Sequence, residues 1–144
     1  PPAPAADAPE WCLLSSHALD GTDSATTIRL RALVGNQVML LLLDSGNTHS
    51  FINKAFVDRL GLATEEMPTV EVRVANGDKL TCNRVVPGLK WWMQGHTFMT
   101  PMRELEIGAY DGILGMDWLA QHSPMKSHWQ AKWVKFLHMV VSQL

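Results

Sequence analysis

The chain has 144 residues, of which 47% are hydrophobic and 18% are charged, and its formal net charge is −2. This length and composition indicate one globular domain that can bury a core. The charge balance gives no reason to expect direct nucleic-acid binding. The longest apolar run, Val38–Leu43, is far too short to span a membrane.

The first residues, PPAPAADAPE, are rich in proline and alanine. We predict that residues 1–15 are a Pro/Ala-rich linker, disordered or extended, ahead of a domain over residues 16–144. No signal peptide is visible, so we expect an intracellular and cytoplasmic protein. The two cysteines, Cys12 and Cys82, match no metal or redox spacing. We expect two reduced thiols, with a single disulfide as the alternative.

Two strand patterns follow the linker. Residues Thr26–Val34 alternate polar and apolar side chains, which predicts a half-buried strand. The dipeptide Gly35-Asn36 is a favourable hairpin turn. Residues Gln37–Leu43 are apolar on both faces, which predicts a central strand of the sheet.

The rest of the chain reads as short elements with frequent turn signals. We predict a short helix over Asn53–Leu60, because Asn53 or Ser50 can cap it and a glycine follows its end. Many short strands favour an all-β barrel or sandwich. The predicted later elements are a hairpin over Val70–Cys82 that turns at Asn76-Gly77, a second hairpin at Gln94-Gly95, a strand, turn and short helix in GILGMDWLAQH, and a last hairpin pairing Met125–Ser127 with Lys132–Leu137.

The stretch MLLLLDSGNTHSF places an aspartate, Asp44, at the end of the central apolar strand. A buried carboxylate is costly unless it is neutralised or hydrogen-bonded. An aspartate here can act as general base toward water, and the following serine can fix its orientation. Gly46 lets the chain turn sharply and lets a substrate approach. The alternative is a turn or capping aspartate with no chemistry.

Two motifs in order resemble those of the retropepsin family. DSG resembles the active-site loop of aspartic proteases, and DGILGMDWL resembles the Ile-Leu-Gly motif that closes the loop around the active site. The runs DSGNTHSFINKAFVDRLGL, ANGDKL and YDGILGMDWL are together similar to protease domains of gypsy-type LTR retrotransposons, particularly those of plants. The resemblance implies an all-β fold: a small closed retropepsin-like barrel with a flap hairpin and one or two short helices.

The resemblance also implies residue roles. Asp44 matches the catalytic aspartate, Ser45 the hydroxyl residue that braces the catalytic pair, and Gly46 the glycine that lines the cleft. It implies an aspartic endopeptidase that needs no cofactor and no metal. The implied substrate-binding residues lie after the catalytic loop, in the flap and in the second motif: Asn47, Thr48, Ala75, Asn76, Gly77, Asp78, Ile113, Leu114 and Gly115.

The mechanism of such enzymes needs two carboxylates that share one proton. The chain offers one Asp-Ser-Gly, so the resemblance implies a homodimer that cleaves an extended polypeptide of a retrotransposon polyprotein, within a cytoplasmic virus-like particle. We expect no nucleic-acid and no membrane partner. The rival hypothesis is a catalytically inactive dimerisation or peptide-binding module on the same fold.

Other reactive or aromatic side chains give weaker signals. Asp117 and Arg103 are candidates for a structural ion pair or a helix cap near the loop. The tryptophans Trp91, Trp92, Trp118, Trp129 and Trp133 could stack on bases, but core or interface packing is favoured because no basic charge accompanies them. Six histidines lack metal-site spacing, which favours scattered core or surface roles: His17, His49, His96, His122, His128 and His138.

Overall fold

The computed structural model describes residues 7–15, 27–73 and 79–141. The strands are β1 (Asp7–Ser15), β2 (Thr27–Val34), β3 (Gln37–Asp44), β4 (Phe51–Asn53), β5 (Glu65–Arg73), β6 (Lys79–Met93), β7 (His96–Leu105), β8 (Gly112–Leu114), β9 (Met125–His128) and β10 (Trp133–Val141). The helices are α1 (Lys54–Leu60) and α2 (Met116–Gln121).

Six strands form a closed barrel, in the order β2-β3-β8-β4-β7-β6, and β2 pairs with β6 to complete the ring. Strand β5 extends the sheet from β6, and β1, β10 and β9 form a separate three-stranded sheet. The predicted all-β barrel with short helices is therefore confirmed. Strand β3 lies between β2 and β8, which confirms its predicted central position.

The predicted turns and caps explain how the first half folds. Strands β2 and β3 pair from Thr27↔Asp44 to Val34↔Gln37, and the turn glycine has a left-handed φ of 60°. Helix α1 begins after Asn53, whose side chain accepts a hydrogen bond from the backbone N–H of Ala55. It ends at Gly61, whose φ of 64° is the left-handed conformation common at helix ends.

The two hairpins predicted in the middle of the chain share one strand. Strand β6 is 15 residues long and pairs with β5 on one side and with β7 on the other. The β6–β7 turn at Gln94-Gly95 is confirmed, and both residues have positive φ values. The other predicted turn, Asn76-Gly77, lies outside the described residues.

The N-terminal boundary differs from the predicted linker over residues 1–15. Residues Asp7–Ser15 form strand β1, which pairs with β10 from Asp7↔Val141 to Ser15↔Trp133. The sequence signal for this strand is a short alternation of buried and exposed side chains. The proline-rich composition of the first residues hides that signal. Cys12 and Leu14 are fully buried, whereas Trp11 and Leu13 face solvent.

The C-terminal segment completes the same sheet. Strands β9 and β10 pair with the register Trp133↔His128 to Phe136↔Met125, which confirms the last predicted hairpin. The Lys132 ammonium donates a hydrogen bond to the backbone oxygen of Thr27 at 2.7 Å. Since Thr27 pairs with Asp44, this bond joins the terminal sheet to the barrel beside the predicted active site.

Aromatic side chains fill much of the core. Trp91 stacks on Phe98 at a centroid distance of 4.4 Å, and Trp118 packs at 5.9 Å from Trp91. Each such pair adds roughly 0.5–1.5 kcal/mol beyond simple burial. Core packing is thus confirmed for Trp91 and Trp118, whereas Trp92 is 45% exposed. Cys12 and Cys82 are both buried, and no disulfide joins them.

Membrane-spanning helices and metal-binding clusters are both absent from the described residues. No helix there is long and apolar enough to cross a membrane. No group of three or more His, Cys, Asp or Glu side chains within residues 7–15, 27–73 and 79–141 is placed to hold a metal ion.

Candidate active site

A parallel strand pair places the two sequence motifs side by side. Strands β3 and β8 pair with the register Leu41↔Gly112 to Leu43↔Leu114, so both end at the same edge. Parallel neighbours are normally buried, and Leu41, Leu43 and Leu114 are at most 1% exposed. Asp44 therefore ends β3 directly beside the glycine that follows β8.

Asp111 fixes this pairing from the loop before β8. Its carboxylate accepts a hydrogen bond from the backbone N–H of Leu40 at 2.8 Å, and its own N–H donates to the Leu40 oxygen at 2.9 Å. The Asp111 backbone oxygen accepts from the N–H of Asn53 at 2.8 Å. These bonds therefore hold β3, the loop before β8 and the residue that caps α1 in fixed positions relative to one another.

The Asp44 carboxylate is half-buried and has a fixed orientation. The Gly46 N–H donates to its Oδ1 at 2.8 Å, and the Asn47 side-chain amide donates to its Oδ2 at 2.9 Å. The Asn47 backbone N–H also donates to the Asp44 carbonyl oxygen at 3.2 Å. Both carboxylate oxygens thus have a donor from the residues that follow Asp44, and the loop is a tight turn around it.

Gly46 leaves room for the Asp44 carboxylate in this turn. A Cβ atom at Gly46 would lie 3.1 Å from Asp44 Oδ1, which is tighter than about nine in ten real Cβ contacts. Gly46 is also exposed, so its backbone is accessible to another chain. A side chain at this position would displace the carboxylate and cover the approach to it.

Helix α2 holds the remainder of the loop. The N–H of Met116 donates to the Asn47 oxygen at 2.7 Å, and the N–H of Asp117 donates to the Thr48 oxygen at 3.1 Å. Gly115 makes this approach possible, because a Cβ there would lie 2.5 Å from the His49 oxygen. The loop and the helix therefore touch through their backbones.

Asp117 has a different role from the predicted ion pair with Arg103. Its carboxylate accepts hydrogen bonds from the Ser50 hydroxyl at 2.6 Å and from the Trp118 N–H at 2.7 Å. The N-cap of α2 is Gly115 without a side-chain cap bond, so Asp117 is an acidic residue of the first turn rather than the cap. Ser50, rather than the Arg103 guanidinium, is its bonding partner. Arg103 contributes its backbone N–H, which donates to the Ser50 oxygen at 3.1 Å.

The structure brings most of the sequence-predicted site residues together. Asp44, Ser45, Gly46, Asn47 and Thr48 form the loop at the end of β3. Strand β8 supplies two further residues and is followed by the glycine that contacts the loop: Ile113, Leu114 and Gly115. The predicted flap residues Ala75, Asn76, Gly77 and Asp78 lie outside the described residues.

Sequence reasoning missed the contribution of Ser50. Its hydroxyl donates to a side chain 67 positions later in the chain, and no local pattern predicts a contact over that distance. An aspartate in the first turn of a helix is a usable signal, since it complements the helix N-terminus. That signal is consistent with Asp117 in the first turn of α2 but does not identify its partner.

A separate apolar cavity lies at the opposite end of β2 and β3. It has a volume of about 650 Å³, and its lining includes Leu33, Leu62 and Trp91. None of the sequence-predicted site residues lines it. The cavity is therefore distinct from the surface where Asp44 lies.

The fold and the site define a class: a single-lobed acid-protease-type barrel with one Asp-Ser-Gly loop. The family model for retroviral aspartyl proteases matches residues 14–137. The chain therefore belongs to the retroviral aspartyl protease family, which supports aspartic protease activity in general terms. No curated protein matches the sequence.

Solved structures share this fold at low sequence identity. The retropepsin-like aspartic protease from Rickettsia conorii is 10% identical, with a TM-score of 0.57 over 93% of this chain and 96% of that one. The retroviral protease-like domain of Ddi1 from Leishmania major is 19% identical, with a TM-score of 0.56 over 70% and 80%. The EIAV protease in complex with the inhibitor HBY-793 is 19% identical, with a TM-score of 0.53 over 71% and 91%.

Proposed function

We propose that this chain is an aspartic endopeptidase that acts as a homodimer, with one Asp44 from each copy. The observation that carries the proposal is the Asp44 carboxylate, oriented by Gly46 and Asn47 at the end of a buried parallel strand pair. The sequence has a single Asp-Ser-Gly, so the second carboxylate has to come from a second copy.

The chemistry requires the two carboxylates to share one proton. The ionised Asp44 takes a proton from water as the water oxygen bonds to the scissile carbonyl carbon, and the protonated Asp44 donates to the carbonyl oxygen. In the resulting diol the C–N bond then breaks. The first carboxyl gives its proton to the leaving nitrogen, and a diol proton returns to the second, which restores the starting state.

The neighbouring loop residues have supporting roles in this reaction. Ser45 braces the pair of aspartates, and Gly46 leaves room for the substrate backbone. The substrate is an extended polypeptide, which adds as a strand against Asn47 and Thr48 and under the flap hairpin. The reaction as written uses no cofactor, no metal, no nucleic acid and no membrane.

We further propose a gypsy-type, plant-like retrotransposon polyprotein as the source and the substrate, processed in the cytoplasm within virus-like particles. The support is the run DSGNTHSFINKAFVDRLGL and its spacing from YDGILGMDWL. A peptide library would identify the cleavage site and hence the substrate.

The test is cleavage of a mixed peptide library between roughly pH 4 and 7, where a shared-proton pair can operate. We expect Asp44→Asn to lose about 10³-fold or more of the activity, since acid–base catalysis contributes up to about 10⁴-fold. A statine-type inhibitor should block the wild type. Cleavage should also rise faster than linearly with protein concentration.

The matched control is Asp58→Asn on α1, an exposed aspartate whose carboxylate pairs with Lys54 at 3.0 Å. It should cleave like the wild type. Equal cleavage by the Asp44→Asn variant, or activity from a form that is monomeric throughout, would refute the proposal. Peptide binding by a folded wild type without any cleavage would favour the inactive peptide-binding module.

A further inference from the structure

Ser50 and Asp117 form an interlock between the two motifs, which we call the Ser50–Asp117 clasp. The Ser50 hydroxyl donates to Asp117 Oδ1 at 2.6 Å, and the Ser50 backbone N–H donates to Asp117 Oδ2 at 3.0 Å. The same hydroxyl accepts from the Gly115 N–H at 3.1 Å. Asp117 Oδ1 also accepts from the Trp118 N–H at 2.7 Å.

The burial of Ser50 and the number of its hydrogen bonds distinguish this arrangement from an ordinary helix cap at the surface. Ser50 is 1% exposed, and its hydroxyl is used both as donor and as acceptor. A helix cap needs only the backbone N–H groups of its own first turn. Here both carboxylate oxygens accept from Ser50, which lies in the loop before β4, and hydrogen bonds to a carboxylate are the stronger kind.

The clasp closes the loop that carries the catalytic groups. The loop starts at Asp44, which the β2–β3 pairing fixes, and it ends at Ser50, which the clasp fixes. Between them, α2 holds the Asn47 oxygen at 2.7 Å. Asn47 in turn donates to Asp44 Oδ2 at 2.9 Å. The Met116–Asp117 peptide link and these hydrogen bonds through Asn47 therefore connect Asp117 with the catalytic carboxylate.

We propose that Asp117 is a positioning residue for Asp44: through Ser50 and the start of α2 it sets the orientation of the catalytic loop. This inference rests on the proposed endopeptidase function. The hydrogen bonds of the Asp117 carboxylate go to Ser50 and Trp118 rather than to Asp44 or Gly46, so its effect is on geometry. Misplacing reacting groups by about 1 Å can cost on the order of 100-fold in rate.

The experiment compares Asp117→Ala, Asp117→Asn and Ser50→Ala in the cleavage assay, with kcat and KM measured separately. We expect Asp117→Ala to lower kcat about 10- to 100-fold with KM changed less than about threefold, because the transition-state geometry is what is lost. Asp117→Asn keeps the size and one acceptor oxygen, so its kcat should fall between the wild type and Asp117→Ala.

The double variant Ser50→Ala/Asp117→Ala should be no slower than the slower single variant, because both remove the same clasp. Asp58→Ala is the matched control, since that aspartate is exposed and pairs with Lys54 on its own helix. Near-ultraviolet circular dichroism at the assay temperature reports whether each variant is folded. Ser50→Ala provides the test if Asp117→Ala does not fold.

Hydrogen exchange of the amides in residues 45–49 is a readout independent of cleavage. We expect faster exchange there in Asp117→Ala and Ser50→Ala, and no change in Asp58→Ala. A folded Asp117→Ala with wild-type kcat and loop protection would overturn the inference, as would a raised KM with unchanged kcat. If the wild type does not cleave, the proposed function fails, and exchange alone decides whether Asp117 positions the loop.

Discussion

Replacing Gly115 with alanine tests whether close backbone contact between the loop and α2 holds the site. The new Cβ would lie 2.5 Å from the His49 oxygen and 2.8 Å from the Asn47 oxygen. Both are backbone atoms, so no side-chain rotation relieves the clash. Restoring an ordinary 3.4 Å contact to the His49 oxygen from 2.5 Å requires a shift of about 0.9 Å between loop and helix.

The loss of unfolding free energy can be estimated from the contacts that this shift removes. The bond from the Met116 N–H to the Asn47 oxygen is 2.7 Å long, and lengthening it by about 0.9 Å takes it beyond the range of a hydrogen bond. The bond from Asp117 to Thr48 weakens with it. The lost bond and the weakened bond together remove roughly 1–2 kcal/mol, and overpacking adds roughly 1–3 kcal/mol, which gives a destabilisation of about 2–5 kcal/mol.

The assay is urea and thermal unfolding of Gly115→Ala beside Gly108→Ala. A Cβ at Gly108 meets nothing within 4 Å and the residue is exposed, so its substitution is a matched control. We expect Tm to fall by about 6–15 °C for Gly115→Ala, from roughly 3 °C per kcal/mol at this size. An unfolding free energy within about 0.5 kcal/mol of the control would refute this account of the loop.

Two further substitutions test the support of the fold. Asn53→Ala removes the cap of α1 and a side-chain donation to the loop before β8, and should cost about 1–3 kcal/mol in urea unfolding, against little change for the exposed Asn83→Ala. Thr100→Val leaves the buried Trp91 Nε1–H without its acceptor at 3.0 Å. It should cost about 1–3 kcal/mol, and a null effect on unfolding would show that another acceptor replaces the threonine.

Local signals were sufficient for much of the fold. The turn at Gly35-Asn36, the caps of α1 and the last hairpin follow from residue preferences within a few positions. Each of these elements has its partner nearby in sequence, so the pattern that forms it also specifies its contact. The position of Asp44 at the end of a central strand follows for the same reason.

The remainder depends on contacts between distant segments. Strand β1 pairs with β10 across most of the chain, and its alternation is too short to stand out after a proline-rich start. Strand β8 is a three-residue apolar strand, and so short a pattern is consistent with several partner strands. Its parallel register with β3 is therefore determined by tertiary packing. The Ser50–Asp117 clasp is also a contact between distant segments, because the local sequence around either residue does not predict the other as its partner.

The described contacts of the Asp44 carboxylate come from its own loop, at Gly46 and Asn47. We therefore predict that a single copy of the chain is sufficient to orient Asp44, whereas cleavage requires two copies. On dilution below the dimer dissociation constant, cleavage should disappear while the loop amides keep their protection from hydrogen exchange.

The measurement is exchange of the amides in residues 45–49 at protein concentrations above and below dimer dissociation, with the fraction of dimer measured by analytical ultracentrifugation. Unchanged protection would mean that association brings together two sites that are already positioned. Protection that falls in proportion to the dimer would contradict this, because the second copy would then be ordering the loop. Dimer formation would in that case include the conformational cost of the loop, roughly 1–2 kcal/mol for each residue ordered.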